Sequence, residues 1–402
     1  MLGLEETRWT LKEINRVAII KQAIDGHITV LEAAEHLRMS ERQVWRMKAR
    51  VKSEGSTGIK HRNQRRVPHN RLGQEDRDEL MMIFMEWKHK CGDGLNASHF
   101  CDILKRDHQI VYSRQTLWRL LKSHGMITVT RRSRKHRTRR QRREQEGDIL
   151  YLDGSPHHWF GEQHSRSTLI LCTDDATSKA LWGVFVPEEN RNGCFEVAYQ
   201  VMINYGIPRS FWLDRASQFI TTRGEGLHFK QHAQSTHWQD AMHVLGVRCI
   251  FASSPQARGR GERANGTFQG RLIAELQYRG IHTNESATKY VNEHFIPEYN
   301  ARFAVPATNQ VVAWRRPPMN VDLRMILSAR HERRVLNDNT VKHEGIRYQI
   351  KKMNGVRTFA RDKVEVQEWF DGTFHLIHQR HGELKYDATK EHRKPLPLIT
   401  LP

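Results

Sequence analysis

The sequence lacks any apolar run close to the ~20 residues that a membrane-spanning helix needs, so we expect no transmembrane segment. Its first residues, MLGLEETRWTLKE, lack the basic-then-apolar order of a secretion signal. It has only 5 cysteines in 402 residues, and none of them forms a CxxC pair. This scarcity argues against a disulfide framework and against a zinc site at His99, Cys101 and His108. Together these absences predict reduced thiols and a cytoplasmic location.

Acidic side chains are scarce relative to basic ones: 45 Asp and Glu stand against 65 Lys and Arg, for a net charge of +20. Such an excess is typical of a protein that binds a polyanion, nucleic acid first. An evenly cationic surface is the alternative, but the basic residues cluster in GIKHRNQRRVPHNR (58–71) and RRSRKHRTRRQRR (131–143). From these two segments we predict contacts to DNA phosphates by Arg65, Arg66, Arg137, Arg139 and Arg140.

Two capping boxes near the N-terminus predict a helix-turn-helix within residues 1–57. Thr29 with Glu32, and Ser40 with Gln43, each mark the start of a short helix. The second helix carries side chains that suit a major groove and its phosphates. These are Arg42, Trp45, Arg46, Lys48 and Arg50. An ordinary helical hairpin with a solvated basic face remains the alternative.

The length and the patterns predict a multidomain chain. A basic linker (58–72) leads to a second helical, winged or helix-turn-helix-like domain (73–127), for which a packing role is an alternative. After a second basic linker (128–147), residues 148–317 alternate three early strands, helices and two later strands. This order is typical of an α/β mixed sheet covered by helices. Residues 318–402 contain short paired strands and the hairpin signal Asp371-Gly372, which predict a small β-barrel.

Three carboxylates in the α/β region are candidate metal ligands. Asp153 and Asp214 each follow a predicted strand, and sites in open α/β sheets form beyond the carboxyl ends of strands. If the strands are neighbours, a divalent cation would keep both carboxylates ionised, and oxygen ligands suit Mg²⁺ or Mn²⁺. Glu262 lies near the start of a predicted long helix, and helical geometry puts it within about 60° of the centre of that helix's buried stripe. The stripe consists of Phe268, Leu272, Ile273 and Leu276. The alternatives are an Asp-Gly turn at Asp153 and a first-turn Glu favoured by the helix dipole.

Three stretches that hold these carboxylates resemble the signature blocks of insertion-sequence transposases with a retroviral-integrase-type core. They are LYLDGSPHHWFG, FWLDRASQF and SSPQARGRGERANGTFQGRL, and the ISNCY-type group is the most similar. The resemblance implies a ribonuclease-H-like catalytic core at 148–317. It also implies that Asp153, Asp214 and Glu262 form a DDE triad that binds two Mg²⁺ or Mn²⁺ ions.

The resemblance further implies what the chain acts on. The expected partners are double-stranded DNA, both the element's terminal inverted repeats and the target, and further copies of the same chain on that DNA. Arg258, Arg260 and Arg263, beside Glu262, are candidate phosphate ligands. The segment between Asp214 and Glu262 is longer than in many integrases, and it contains two rival carboxylates, Glu225 and Asp240. We rank both lower because neither lies in a matching block.

Two other functions remain open. A regulator that kept the fold but lost catalysis would show a damaged triad, whereas all three carboxylates are present here. A ribonuclease-H-like nuclease that only cuts would share the metal site, but it would need neither the flanking DNA-binding regions nor a C-terminal barrel. We therefore expect a transposase associated with the bacterial nucleoid.

Overall fold

The computed structural model describes residues 9–60, 71–127, 141–220, 235–251 and 259–390, apart from positions 318 and 320. Glu225 and most of the two basic linkers lie outside these described residues. So do six predicted DNA-contacting arginines: Arg65, Arg66, Arg137, Arg139, Arg140 and Arg258. The chain divides into two compact units, residues 1–78 and 79–402.

The first unit contains three short helices, α1 (Leu11–Ile24), α2 (Val30–Leu37) and α3 (Glu41–Glu54). Both predicted capping boxes form, since Glu32 accepts from the Thr29 backbone N–H at 2.7 Å and Gln43 from that of Ser40 at 3.3 Å. A three-residue turn, 38–40, joins α2 to α3. The helices enclose a small apolar core of Ile20, Ala23, Ala33, Ala34, Val44, Met47, Val51 and Ile59.

A five-stranded mixed sheet forms the centre of the second unit, in the order β3-β2-β1-β4-β5. The three early strands form an antiparallel meander, and the two later strands run parallel to β1. The strands are β1 (Ile149–His157), β2 (Ser167–Asp174), β3 (Ala180–Val186), β4 (Ser210–Leu213) and β5 (Arg248–Phe251).

Helices cover both faces of this sheet. The apolar cluster on one face contains side chains of the first two helices after the meander, and the cluster on the other face those of the next four. In chain order they are α7 (Arg191–Asn204), α8 (His237–Val244), α9 (Gly259–Gln269), α10 (Leu272–Tyr278), α11 (Asn284–Tyr290) and α12 (Ile296–Phe303).

Two boundaries in this core differ from the sequence prediction. Strand β1 does not end at Asp153 but continues to His157, with Asp153 paired to Leu171 of β2. Beyond Tyr151, β1 has described ladder pairs only with β2, so Gly154 and Pro156 are tolerated there. The predicted long helix is two helices, α9 and α10, separated by residues 270–271.

Helices α4 (Gln74–Cys91), α5 (Ala97–Asp107) and α6 (Arg114–Ser123) occupy the predicted second helical domain. Residues of α4 and α5 contact α10 directly. Trp87 stacks on Tyr278 with ring centroids 3.7 Å apart. The Asn96 amide donates to the Gly270 carbonyl at 2.7 Å. The segment therefore packs against the core, which is the alternative role that the sequence left open for it.

The buried carboxylate of Glu275 is central to this packing. It accepts from His99 Nε2 and from Arg106 Nη1, both at 2.9 Å, and from Arg279 Nη2 at 3.1 Å. Burial alone would raise the pKa of Glu275, but the hydrogen bonds and charges of His99 and Arg106 outweigh it and lower the pKa to about 2. Burial lowers the pKa of His99, although its hydrogen bond to Glu275 acts in the opposite direction.

The C-terminal part of the second unit is rich in strands, as predicted. They form two antiparallel sheets, β11-β10-β9-β6 and β12-β8-β7, over one apolar core. The ladders between described residues do not close these sheets into one barrel, so barrel closure is unconfirmed. After the short helix α13 (Leu323–Ile326), the strands are β6 (Ser328–Arg334), β7 (Thr340–His343), β8 (Ile346–Ile350), β9 (Lys363–Trp369), β10 (Phe374–His378), β11 (Gly382–Leu384) and β12 (Tyr386–Lys390).

A row of histidine rings connects these sheets to the core. His331 on β6 lies between His237 of α8 and His343 of β7, with ring centroids 4.9 and 4.8 Å apart. Beside them, Arg191 of α7 pairs with Glu368 of β9 at 3.0 Å. Burial, followed by the charges of the neighbouring histidines and arginines, lowers the pKa of His331 to about 4.

Within the described ranges, no helix is both long and apolar enough to cross a membrane.

Candidate active site

Asp153 and Asp214 lie at the same level of two neighbouring parallel strands. In the ladder between β1 and β4, Ile149 lies opposite Ser210 and Tyr151 lies opposite Trp212. Two residues further in the same register, Asp153 comes opposite Asp214. Adjacent strands lie about 4.8 Å apart, and both aspartates are half-buried. The sheet therefore brings together the two carboxylates that the sequence placed far apart.

An amide that the sequence analysis missed holds Asp153. Asn265 of α9 donates from Nδ2 to Asp153 Oδ2 at 2.8 Å. One turn later, Gln269 Nε2 donates to Ser155 Oγ at 2.9 Å, so α9 runs along β1. The available signal was the position of Asn265, three residues after Glu262, where helical spacing puts both on one side.

The carboxylate of Asp214 is held by its own turn, because Oδ1 accepts from the Ala216 backbone N–H at 2.9 Å.

A fourth carboxylate, Glu189, lies in the connection before α7 and packs beside Gly154, the residue after Asp153. It accepts from Gln218 Nε2 at 2.6 Å. A Cβ at Gly154 would lie 2.2 Å from Glu189 Oε2, so a larger residue at this position would displace the Glu189 carboxylate. Burial raises the pKa of the Cys194 thiol well above its usual value, and the charges of Glu189 and Asp214 raise it further. Negative charge thus converges here, although no sequence motif indicated Glu189.

Glu262 is exposed rather than on the sheet-facing side of its helix, so that expectation is wrong. The stripe used to predict it combined α9 with α10, and the break at Arg271 (φ −137°, ψ −52°) resets the helical phase. Helical geometry places Glu262 about 110° from the centre of the stripe that α9 buries. That stripe consists of Gly261, Ala264, Asn265 and Phe268. Glu262 nevertheless shares the flank of Asn265, which contacts Asp153.

The donor set fits a hard divalent cation in part. Carboxylate oxygens are the ligands that Mg²⁺ and Mn²⁺ prefer, and Asp153 and Asp214 supply them as a pair. Among the residues that the structure describes, no group of three or more His, Cys, Asp or Glu side chains could hold a metal. Glu262 is therefore not gathered with the pair in this arrangement.

Comparisons with known proteins agree with the motifs. No protein-family model matches the chain. The y4bF protein of Sinorhizobium fredii, a transposase by inference, is 28% identical over 374 residues, which cover 92% of this chain and 80% of that protein. This chain is therefore similar to transposases. The transposase of insertion sequence IS1202 from Streptococcus pneumoniae is 25% identical over 443 residues, covering 98% of this chain and 93% of that transposase.

Two solved structures show weaker likeness. A chain of the simian T-cell lymphotropic virus intasome aligns at 13% identity and TM-score 0.33, over 68% of this chain and 91% of that chain. The HTLV-2 integrase catalytic core domain aligns at 13% identity and TM-score 0.29, over 37% and 87%.

The predicted DNA-contacting residues of α3 divide into two groups. Arg42, Trp45 and Arg46 are exposed. Lys48 is half-buried, and its Nζ donates to the Ala23 carbonyl of α1 at 2.6 Å, so it serves the packing of the helices. Arg50 is also half-buried.

The two described arginines of α9 also differ. Arg260 pairs with the buried carboxylate of Asp175 at 2.5 Å, and Asp175 also accepts from the Tyr151 hydroxyl at 2.8 Å. Arg263 is exposed. The rival carboxylate Asp240 accepts from Ser235 Oγ at 2.5 Å near the start of α8.

Proposed function

We propose that this chain is the DDE transposase of a bacterial insertion sequence, which binds the element's ends and catalyses metal-dependent cleavage and strand transfer of DNA. The observation that carries the proposal is the shared register of β1 and β4, which brings Asp153 opposite Asp214 in a chain similar to an insertion-sequence transposase. The five-stranded mixed sheet with helices on both faces supports a ribonuclease-H-like core.

In this proposal Asp153, Asp214 and Glu262 hold two Mg²⁺ or Mn²⁺ ions. Such ions supply the activation of a water or a DNA 3′-hydroxyl and the neutralisation of the leaving oxygen. The protein's own part is to orient the ligands: Asn265 fixes one oxygen of Asp153, and the Ala216 N–H fixes one of Asp214. Because Glu262 is exposed, the N-terminal part of α9 would have to move to bring it to the pair.

DNA binding is assigned to the basic surfaces. Exposed Arg42, Trp45 and Arg46 on α3 suit a major groove, and the net charge of +20 suits the phosphates. The terminal inverted repeats and the target are the proposed DNA partners. Joining two ends in one complex would require at least two copies of the chain, and the expected place of action is the bacterial nucleoid.

The test is a gel assay of end cleavage and strand joining. It uses labelled duplexes made from the inverted repeats that should flank the gene, with Mg²⁺ or Mn²⁺. Native protein is compared with Asp214→Asn and Glu262→Gln, and Asp240→Asn serves as the control for a rival carboxylate. The proposal predicts joined products from native protein and from Asp240→Asn. The other two variants should bind the ends and yield none.

The outcomes separate the alternatives. Cleavage without any joining would favour a nuclease. Strong end binding by native protein, with no cleavage in either metal, would favour a DNA-binding regulator that has lost catalysis. Loss of activity in Asp240→Asn but not in Glu262→Gln would move the third ligand to α8.

A further inference from the structure

An arginine-lined cavity lies at the end of β2, between α9 and α12. Its volume is about 150 Å³, and Arg142, Arg260 and Arg263 line it together with Thr267, Tyr299 and Phe303. We propose that this cavity binds one backbone phosphate of the DNA and so fixes the strand that runs to the carboxylates. The inference rests on the proposed function for its ligand but not on catalysis.

Two of the arginines are held in place by the protein. Arg142 donates from Nη1 to Ser178 Oγ at 2.7 Å and to the Ala176 carbonyl at 3.2 Å. Arg260 pairs with Asp175, which is fully buried. A guanidinium held this way loses little freedom when it binds an anion, and its planar fork matches phosphate geometry.

The third arginine and the remaining charge make the cavity cationic. Among the described residues, the Arg263 guanidinium has no hydrogen-bond or ion-pair partner. Asp174 also lines the cavity, but its carboxylate accepts from the Gly147 and Thr177 backbone N–H groups at 2.9 and 2.7 Å. Asp175 balances the charge of Arg260, so the guanidinium groups of Arg142 and Arg263 remain against the single hydrogen-bonded carboxylate of Asp174.

The volume of the cavity limits which part of a DNA strand can enter it. It equals the liquid volume of about five water molecules and is smaller than the ~300–1,000 Å³ of small-molecule sites. A phosphodiester group fits such a space, whereas a whole nucleotide does not. Around the axis of α9, the directions of Arg263 and Asn265 differ by about 160°. A strand anchored by Arg263 on one flank would therefore cross the helix toward the Asp153 flank.

The experiment measures binding of a labelled duplex of about 30 base pairs by fluorescence anisotropy, without metal, between about 50 and 200 mM KCl. The variants are Arg142→Gln, Arg263→Gln and the double variant. Losing one phosphate contact lowers the slope of log K against log salt by about 0.9. We expect the double variant to lose about 0.9, and each single variant no more, because both arginines hold the same phosphate.

Two controls accompany the variants. Arg263→Lys keeps the charge and should keep the slope. Arg166→Gln removes an exposed arginine just before β2 and should leave the slope unchanged. A double variant that loses about 1.8, or nothing, would overturn the shared phosphate site, and so would native protein that binds no duplex. Because no chemistry is measured, a protein that binds but never cuts would refute the proposed catalysis and leave this inference standing.

Discussion

Replacing Glu275 by Gln should weaken the attachment of α4–α6 to the core. The side chain of Glu275 is 1% exposed and faces His99, Arg106 and Arg279. The lowering of its pKa from 4.5 to about 2 corresponds to about 3 kcal/mol of stabilisation at neutral pH. This agrees with the ~3–5 kcal/mol lost when one partner of a buried ion pair is removed. We expect Glu275→Gln to lower the free energy of unfolding by about 3 kcal/mol.

The matched control is Glu298→Gln. Glu298 pairs with the same Arg106 at 3.1 Å, but its side chain is 51% exposed, so its loss should cost at most about 1 kcal/mol. Urea unfolding of the full chain at neutral pH, followed by circular dichroism, measures both variants. Equal costs for Glu275→Gln and Glu298→Gln would refute the reasoning, because burial would then make no difference to the pair.

Three further predictions concern the site, the histidine row and α3. Asn265→Ala should slow single-turnover end cleavage about 10–100-fold with unchanged DNA binding, because Asp153 loses its amide donor. The pKa of His331 falls from 6.5 unfolded to about 4 folded, so its contribution to stability is present above pH 6.5 and is lost as the pH falls toward 4. Thermal unfolding should show a smaller acid loss in His331→Phe. Arg46→Gln should weaken DNA binding without changing stability. Lys48→Gln should instead cost about 1 kcal/mol of stability, by losing its bond to Ala23.

A specific result would contradict each of these three predictions. Gln269→Ala is the control for Asn265, since its amide bonds Ser155 instead of a carboxylate. Equal slowing by both would mean that the packing of α9 matters and the Asp153 contact does not. An unchanged acid profile in His331→Phe would exclude that histidine as the sensitive group. Anisotropy and thermal unfolding together test α3, and a larger binding defect in Lys48→Gln than in Arg46→Gln would reverse their assigned roles.

Local chemistry made much of the fold predictable. The capping boxes at Thr29 and Ser40 specify helix starts through contacts only three residues apart, and both form. The hairpin signal Asp371-Gly372 acts equally locally, and β9 and β10 pair on either side of it. The prediction of one continuous helix after Glu262 failed because periodicity cannot detect a break at residues 270–271, where packing through Asn96 and Glu275 fixes the chain instead.

The sequence by itself determined the basic character, the strands that carry Asp153 and Asp214, and the resemblance to insertion-sequence transposases. Only the tertiary structure decided that β1 and β4 are neighbours in a register that brings the two aspartates level. It also decided that Asn265 and Glu189 lie beside them and that Arg142, Arg260 and Arg263 converge on one cavity. The physical reason is that strand pairing and helix packing join residues tens to more than a hundred positions apart, whereas propensity, capping and periodicity act over a few.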